Sequence, residues 1–119
     1  GTWQRAYVEA HAFNAPLRAT HTGQHDGKLP LSASLLRLQG AGLVLSAVKA
    51  AEAGDGLIVR FYNIADEPSL ASLQTFQPVK SAALVNLAEQ ELGALPIDDL
   101  GAVTIEAKGK QIVTIKLRW

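Results

Sequence analysis

Three potential metal ligands lie close together in the first quarter of the chain, at His21, His25 and Asp26. Zinc is bound by imidazole and carboxylate groups that converge on one point, so this group, with His11 as a distant fourth, is the candidate metal site. The two nearer histidines are four residues apart, but a glycine between them disfavours the helix that would align them. We therefore predict a polar surface loop over His21–Pro30 and no metal ligand. A free-standing metal-dependent enzyme built on the three residues is the least favoured alternative.

Paired acidic residues are the second candidate, since hydrolysis of a glycosidic bond commonly uses two carboxyl groups. Asp98 and Asp99 are adjacent, and adjacent residues on a strand point to opposite faces. The other pairs fall in segments typical of turns or connections, and the chain has no nucleophile elbow, phosphate loop or dinucleotide fingerprint. We therefore predict no catalytic and no cofactor-binding residue. The other pairs are Asp66 with Glu67 and Glu89 with Glu91.

Aromatic side chains could bind a sugar by stacking, but here they are few and dispersed. We predict that Phe61 and Phe76 are core residues. Trp3 and Trp119 lie near the two ends, where they either dock against a neighbouring domain or lie in solvent. A platform formed by Trp3, Tyr62 and Trp119 is the basis of an alternative function, an independent carbohydrate-binding module.

Composition bounds the class of protein. A chain of 119 residues with 48% hydrophobic and 18% charged residues is typical of one globular domain, here residues 1–119. Its 11 basic and 11 acidic residues cancel, so there is no electrostatic argument for nucleic acid or an anionic membrane as partner. Without cysteine there is neither a disulfide framework nor a thiolate metal site. No apolar run approaches the roughly 20 residues that span a bilayer.

The chain also has no methionine and no signal peptide. We therefore expect a piece of a longer protein. The absence of cysteine and of a signal suits a bacterial cytoplasmic enzyme.

Short runs of alternating apolar residues, separated by turn signals, predict an all-β fold: an antiparallel β-sandwich of about seven or eight short strands. The clearest feature is a hairpin of Leu43–Ala51 and Leu57–Ile64, reversed by the breaker-rich stretch Glu52–Gly56. Arg60 and Glu52 flank this turn and could form a polar contact across the edge of the sandwich; an ordinary surface pair is the simpler interpretation. The other predicted strands are Arg5–Phe13, Leu35–Leu38, Ser69–Gln77, Ser81–Leu87, Val103–Ala107 and Ile112–Trp119.

Two further segments are less regular. Leu17–Thr20 is predicted to be a short extended piece, and Glu89–Leu95 to be either a helical turn or a connection. Gly109 and Lys110 are predicted to join the last two strands as a tight turn.

The hairpin and several other segments resemble the C-terminal β-sandwich domain of glycoside hydrolase family 38, the α-mannosidases. The most specific part is Lys49 and Glu52 followed by GLIVRFYN at Gly56–Asn63. The matching segments together extend over nearly the whole chain. The other segments are Phe13–Leu17, Val44–Lys49, Asn86–Glu89 and Ile112–Leu117.

This resemblance implies a non-catalytic accessory domain that packs against the catalytic part of a larger enzyme and supports its surroundings. Family members are similar in having a zinc-dependent catalytic domain that hydrolyses α-mannosides with retention, using an aspartate nucleophile. Those motifs belong to the N-terminal part and do not occur here, so the resemblance implies that residues 1–119 are the C-terminal fragment of a larger enzyme. Zinc is expected in the parent and no cofactor in this fragment. The expected partners are the remaining domains of the parent and, through them, a mannoside. Ala50, Ala88 and Gln111 depart from the family pattern.

Overall fold

The computed structural model describes residues 3–119, which form one helix and eight strands. The strands build two antiparallel sheets that face each other, so the predicted β-sandwich and its number of strands are confirmed. The elements are α1 (Trp3–Asn14), β1 (Leu36–Gln39), β2 (Leu43–Ala50), β3 (Leu57–Asn63), β4 (Ser69–Thr75), β5 (Ser81–Val85), β6 (Glu91–Leu95), β7 (Val103–Ala107) and β8 (Ile112–Arg118).

One sheet has three strands in the order β1-β4-β7, and the other has five in the order β2-β3-β8-β5-β6. Every paired neighbour runs antiparallel. No helix among residues 3–119 is long and apolar enough to cross a membrane.

The core lies between the two sheets and follows the period-2 pattern of the central strands. Phe61 is opposite Val113 and Val59 is opposite Ile115, and all four side chains are buried. Leu73, Val103 and other residues of the smaller sheet belong to the same cluster. Because alternate side chains point to opposite faces, the strands β3 and β8 bury one row between the sheets. The prediction that Phe61 is a core residue is confirmed.

The predicted hairpin is confirmed as β2 and β3, with a bulge between Leu45 and Ala47. Gly54 closes its loop with a φ of 72°, a conformation that favours glycine. A side chain at Gly56 would meet the backbone carbonyl of Leu117 on β8, so only glycine fits there without a shift. The two glycines therefore set both the shape of the loop and its distance from the neighbouring strand.

The prediction of a strand at Arg5–Phe13 is wrong, because this segment lies within the helix α1. Its alanines and its Glu, Gln and Arg residues favour a helix, and the apparent alternation was short. Tyr7 and His11, four residues apart, bring their rings to a centroid distance of 5.2 Å on one side of the helix.

The region before β1 otherwise has neither helix nor strand. The loop at His21–Pro30 is confirmed, and no strand forms at Leu17–Thr20. Glu89–Leu95 was predicted as a helical turn or connection, and this is wrong for most of the segment because Glu91–Leu95 pairs with β5. Pairing with a neighbouring strand outweighs the local helix propensity of Glu and Leu.

Candidate functional site

Seven charged residues gather on the outer face of the five-stranded sheet and in the two loops beside it. We call them the ionic cluster. β2 and β8 carry its basic members, and the β2–β3 loop, the β5–β6 turn and the start of β6 carry its acidic members. The members are Lys49, Glu52, Asp55, Glu89, Glu91, Lys116 and Arg118.

Glu89 is the centre of one half of the cluster. Its Oε1 lies 2.6 Å from Lys49 Nζ, and its Oε2 accepts a hydrogen bond of 2.8 Å from the backbone N–H of Glu52. The Glu89 side chain is only 8% exposed. Lys49 also lies 3.6 Å from the Glu52 carboxylate. One carboxylate therefore ties the β5–β6 turn to the start of the β2–β3 loop.

The β5–β6 turn holds Glu89 in place through Asn86. The Oδ1 of Asn86 accepts hydrogen bonds of 3.0 Å from the backbone N–H groups of Ala88 and Gln90, and its Nδ2 donates to the Gln90 side chain. Glu89 itself has a φ of 61°, a conformation that non-glycine residues rarely adopt. The side chain of Asn86 thus stabilises the turn in which Glu89 has a strained backbone conformation.

The other half of the cluster is centred on Asp55. Its carboxylate lies 2.6 Å from Lys116 Nζ and 3.1 Å from the Arg118 guanidinium, which also binds Glu91. The Lys116 side chain is only 6% exposed, so its charge is buried with Asp55 as partner. These contacts attach the tip of the β2–β3 loop to β8.

The pKa values follow from these contacts. Lys49, and then the backbone N–H of Glu52, hold the pKa of Glu89 below its ordinary 4.5. Lys116, with Arg118, holds the pKa of Asp55 below its ordinary 3.8. The hydrogen bond to Glu89 raises the pKa of Lys49. Both carboxylates are therefore ionised at neutral pH, and neither has the raised pKa of a general acid.

The ionic cluster also covers a small apolar cluster of Ala51, Ile58 and Val85. Ile58 lies between Lys49 and Lys116 in the register of the sheet and is fully buried although it points to the outer face. The long side chains beside it therefore shield it from water. The arrangement fits a structural role better than a catalytic one.

A second surface feature is an open recess of about 420 Å³. It lies at the end of the sandwich where β2 ends, β3 begins and β8 ends. We call it the apolar groove. Phe76 lies in it with 49% of its surface exposed, so the prediction that Phe76 is a core residue is wrong: it follows β4 and lies past the region that the opposite sheet covers. The lining residues are Leu29, Leu35, Leu36, Val48, Leu57, Thr75, Phe76, Gln77 and Trp119.

The candidate metal ligands do not converge. His21, His25 and Asp26 are exposed in the loop before β1, and the ring Nδ1 of His25 lies 3.3 Å from the backbone carbonyl of Asp26. Within residues 3–119, no group of three or more His, Asp or Glu side chains could hold a metal ion. The prediction of no metal ligand stays a prediction.

The candidate carboxylate pairs have separate structural contacts. The Oδ1 of Asp98 accepts hydrogen bonds of 2.9 and 2.8 Å from the backbone N–H groups of Leu100 and Ala102, which closes the turn before β7. Asp66 lies 3.3 Å from the Lys110 ammonium. Glu89 and Glu91 bind different basic partners, as described above.

The predicted surface pair of Glu52 and Arg60 is wrong. Glu52 lies beside Lys49, and the Nε of Arg60 donates a hydrogen bond of 3.1 Å to Thr114 Oγ1 on β8. The two are not cross-strand neighbours, because Glu52 lies in the loop beyond the end of β2, whereas Arg60 is the fourth residue of β3 and lies opposite Ala47.

The proposed sugar platform is also split. Tyr62 is half-buried and lies opposite Ile112 at the start of β8, whereas Trp119 follows the end of β8. The two rings therefore lie at opposite ends of one strand. The side chain of Trp3 lies outside the described part of the chain.

Two polar residues of structural importance were missed. Asn63 is 1% exposed; its Nδ2 donates to the carbonyls of Glu67, Ala107 and Lys108, and its Oδ1 accepts from the Ala65 N–H. The signal for it was present, because position 63 continues the inward row of β3 and predicts a buried polar group. Lys116 gave no such signal, since its burial depends on a loop from elsewhere in the chain.

Comparison with known proteins agrees with this architecture. Residues 42–115 match the family described as "Glycosyl hydrolases family 38 C-terminal beta sandwich domain", and the chain belongs to this family. The resemblance that its segments indicated is confirmed. The chain is also 32% identical over 115 residues to a protein of Halalkalibacterium halodurans named "Putative mannosylglycerate hydrolase". The match covers 93% of this chain but 12% of that relative, so the chain spans about one eighth of the relative's length.

Proposed function

We propose that this β-sandwich is a non-catalytic accessory domain of a larger glycoside hydrolase, which packs against the catalytic part and supports its surroundings. The observation that carries the proposal is that three of its acidic residues already have structural partners. The carboxylates of Glu89 and Asp55 are held ionised by basic partners, and Asp98 closes a turn. These groups stabilise the sandwich itself and are not available as a paired acid and nucleophile.

The length of the relative compared with the length of this chain supports the existence of further domains in the parent. In the Halalkalibacterium relative the matching region is a small part, 12%, of a much longer protein. A domain of this kind that shows large apolar side chains to solvent is expected to pack on a neighbour. The partner that we propose is the remaining part of the same parent enzyme.

Substrate and metal belong to that remaining part in this proposal. We assign mannoside hydrolysis and zinc binding to the parent's catalytic domain, because the chain belongs to a family of C-terminal domains of glycosyl hydrolases and spans only a small part of its relative. The relative's name adds mannosylglycerate to the α-mannosides as a substrate to be tested.

The gene tests the proposal first. We expect an open reading frame that continues upstream of these residues into a glycoside hydrolase catalytic domain. Deleting residues 42–119 from its product is then expected to lower the thermal unfolding midpoint of the catalytic domain, measured by calorimetry. A reading frame without a hydrolase domain, or a catalytic domain whose midpoint is unchanged by the deletion, would contradict the proposal.

A further inference from the structure

The apolar groove exposes large side chains that a globular domain normally buries. Leu35 is 74% exposed, Phe76 49%, Val48 47% and Trp119 44%. They converge on one recess, and no charged residue lines it. A contiguous apolar surface of this kind marks a site of interaction, whereas single exposed apolar residues are ordinary.

Two of the side-chain polar groups in the groove already have partners. Trp119 Nε1 donates a hydrogen bond of 3.0 Å to the carbonyl of Gln77, and Thr75 Oγ1 donates one of 2.6 Å to the same carbonyl. The rest of the lining is largely aliphatic. A sugar needs several hydrogen-bonding groups around an aromatic ring, so this lining suits apolar side chains of a polypeptide better than a carbohydrate.

The chain before β1 adds one residue to the groove and has a second exposed leucine close by in sequence. Leu29 lines the groove and is 68% exposed, and Leu31, two residues further on, is fully exposed at 110%. Both belong to the region without helix or strand. An occupant of the groove would therefore contact Leu29 of this segment as well as the strands.

We propose that the apolar groove is the docking site for an apolar, protruding segment of the remaining part of the parent enzyme. This inference rests on the proposed function. It is favoured by the length of the relative, of which this domain is 12%. A second copy of the chain fits less well, because a two-fold interface centred on the groove places recess against recess and leaves both unfilled.

Site-specific labelling in the native full-length parent tests the proposal, since these 119 residues contain no cysteine. Leu35→Cys and Phe76→Cys place a thiol in the groove. Leu70→Cys and Leu100→Cys are matched controls, because both leucines are exposed, at 65% and 83%, and neither lines the groove. Maleimide labelling is followed at each peptide by mass spectrometry, with the denatured protein as the reference for full reactivity.

We expect the two groove positions to label more slowly than the two controls, by about tenfold or more, because the docked segment must leave the groove before the reagent can reach the thiol. Slow labelling at a control with fast labelling in the groove would overturn the groove assignment and leave the proposed function standing. Fast labelling at all four, in a parent whose unfolding midpoint is unchanged by deletion of residues 42–119, would overturn both. Groove protection that disappears on dilution of a dimer would assign the groove to a second copy and overturn the proposal.

Discussion

Glu89 and Lys49 form an ion pair of 2.6 Å that joins the two sides of the five-stranded sheet. Lys49 lies on the edge strand β2, and Glu89 lies in the turn between β5 and β6, the two strands at the other side. The pair therefore crosses the outer face of the sheet above the buried Ile58. This contact holds the β2–β3 loop against the β5–β6 turn.

Removing the charge of Glu89 is expected to destabilise the domain. Glu89→Gln keeps the size of the side chain but removes the negative charge that lies 2.6 Å from Lys49 Nζ. We expect a lower midpoint of denaturant unfolding than for the wild type. The matched control is Glu106→Gln, an exposed position on β7, which is expected to leave the midpoint nearly unchanged. Equal midpoints for the two variants would contradict the role of the ion pair.

The lowered pKa values of Glu89 and Asp55 predict loss of stability in acid. Both groups bind fewer protons in the folded state than their ordinary values of 4.5 and 3.8 allow, so the unfolded state takes up more protons as the pH falls. Their contribution is complete above the ordinary pKa values and disappears as the pH falls through the folded values.

Urea unfolding at neutral pH and at a series of acidic pH values measures this effect. We expect the midpoint to fall as the pH falls through about 4.5, the pH at which Glu89 is half protonated in the unfolded state. The double variant Glu89→Gln with Asp55→Asn is expected to have a lower midpoint at neutral pH and a flatter pH dependence. An equally steep dependence in the double variant would show that other carboxylates cause it.

Asn63 is expected to be among the most sensitive polar positions in the chain. Asn63→Ala leaves three backbone carbonyls and one N–H without their side-chain partner in a buried place. The free energy of unfolding is expected to fall by about 3 kcal/mol. Asn14→Ala, at the exposed end of α1, is the control and should change it by less than about 0.5 kcal/mol. Similar losses at both positions, measured by urea unfolding, would contradict this account of Asn63.

The independent carbohydrate-binding module is tested by tryptophan fluorescence. The structure places Tyr62 beside the start of β8 and Trp119 after its end, so the two rings do not form one stacking platform. We expect no change in fluorescence on titration with mannose, mannobiose or polysaccharides at millimolar concentrations. A saturable change that Trp119→Ala abolishes would favour the binding module.

The sequence predicted those parts of the sandwich that depend on residues close together in the chain. The hairpin around Glu52–Gly56 could be predicted because glycine and aspartate tolerate the backbone conformations of its loop and because β-rich segments lie on both sides. The segment at Arg5–Phe13 was misread because a short apparent alternation outweighed its helix propensity in the prediction. The Glu91–Leu95 strand was missed because its stability comes from pairing with β5.

The ionic cluster could not be predicted for a different reason. Lys49 and Glu52 are close in sequence, but their partner Glu89 comes from a turn between two other strands. Likewise, nothing near Lys116 indicates that Asp55 covers it. Contacts between distant loops depend on the strand order, which the pattern of apolar residues leaves open.

The most direct test of the central claim, a domain without catalytic chemistry of its own, is a hydrolysis assay of the isolated 119-residue chain. Protein shown to be folded by circular dichroism is given aryl α-mannosides and mannosylglycerate, with and without added zinc. We predict turnover equal to buffer, because the described residues form no metal-binding group and the carboxylates of the ionic cluster are bound to basic partners. Turnover clearly above buffer that is lost in His21→Ala, His25→Ala or Asp26→Ala would contradict the account.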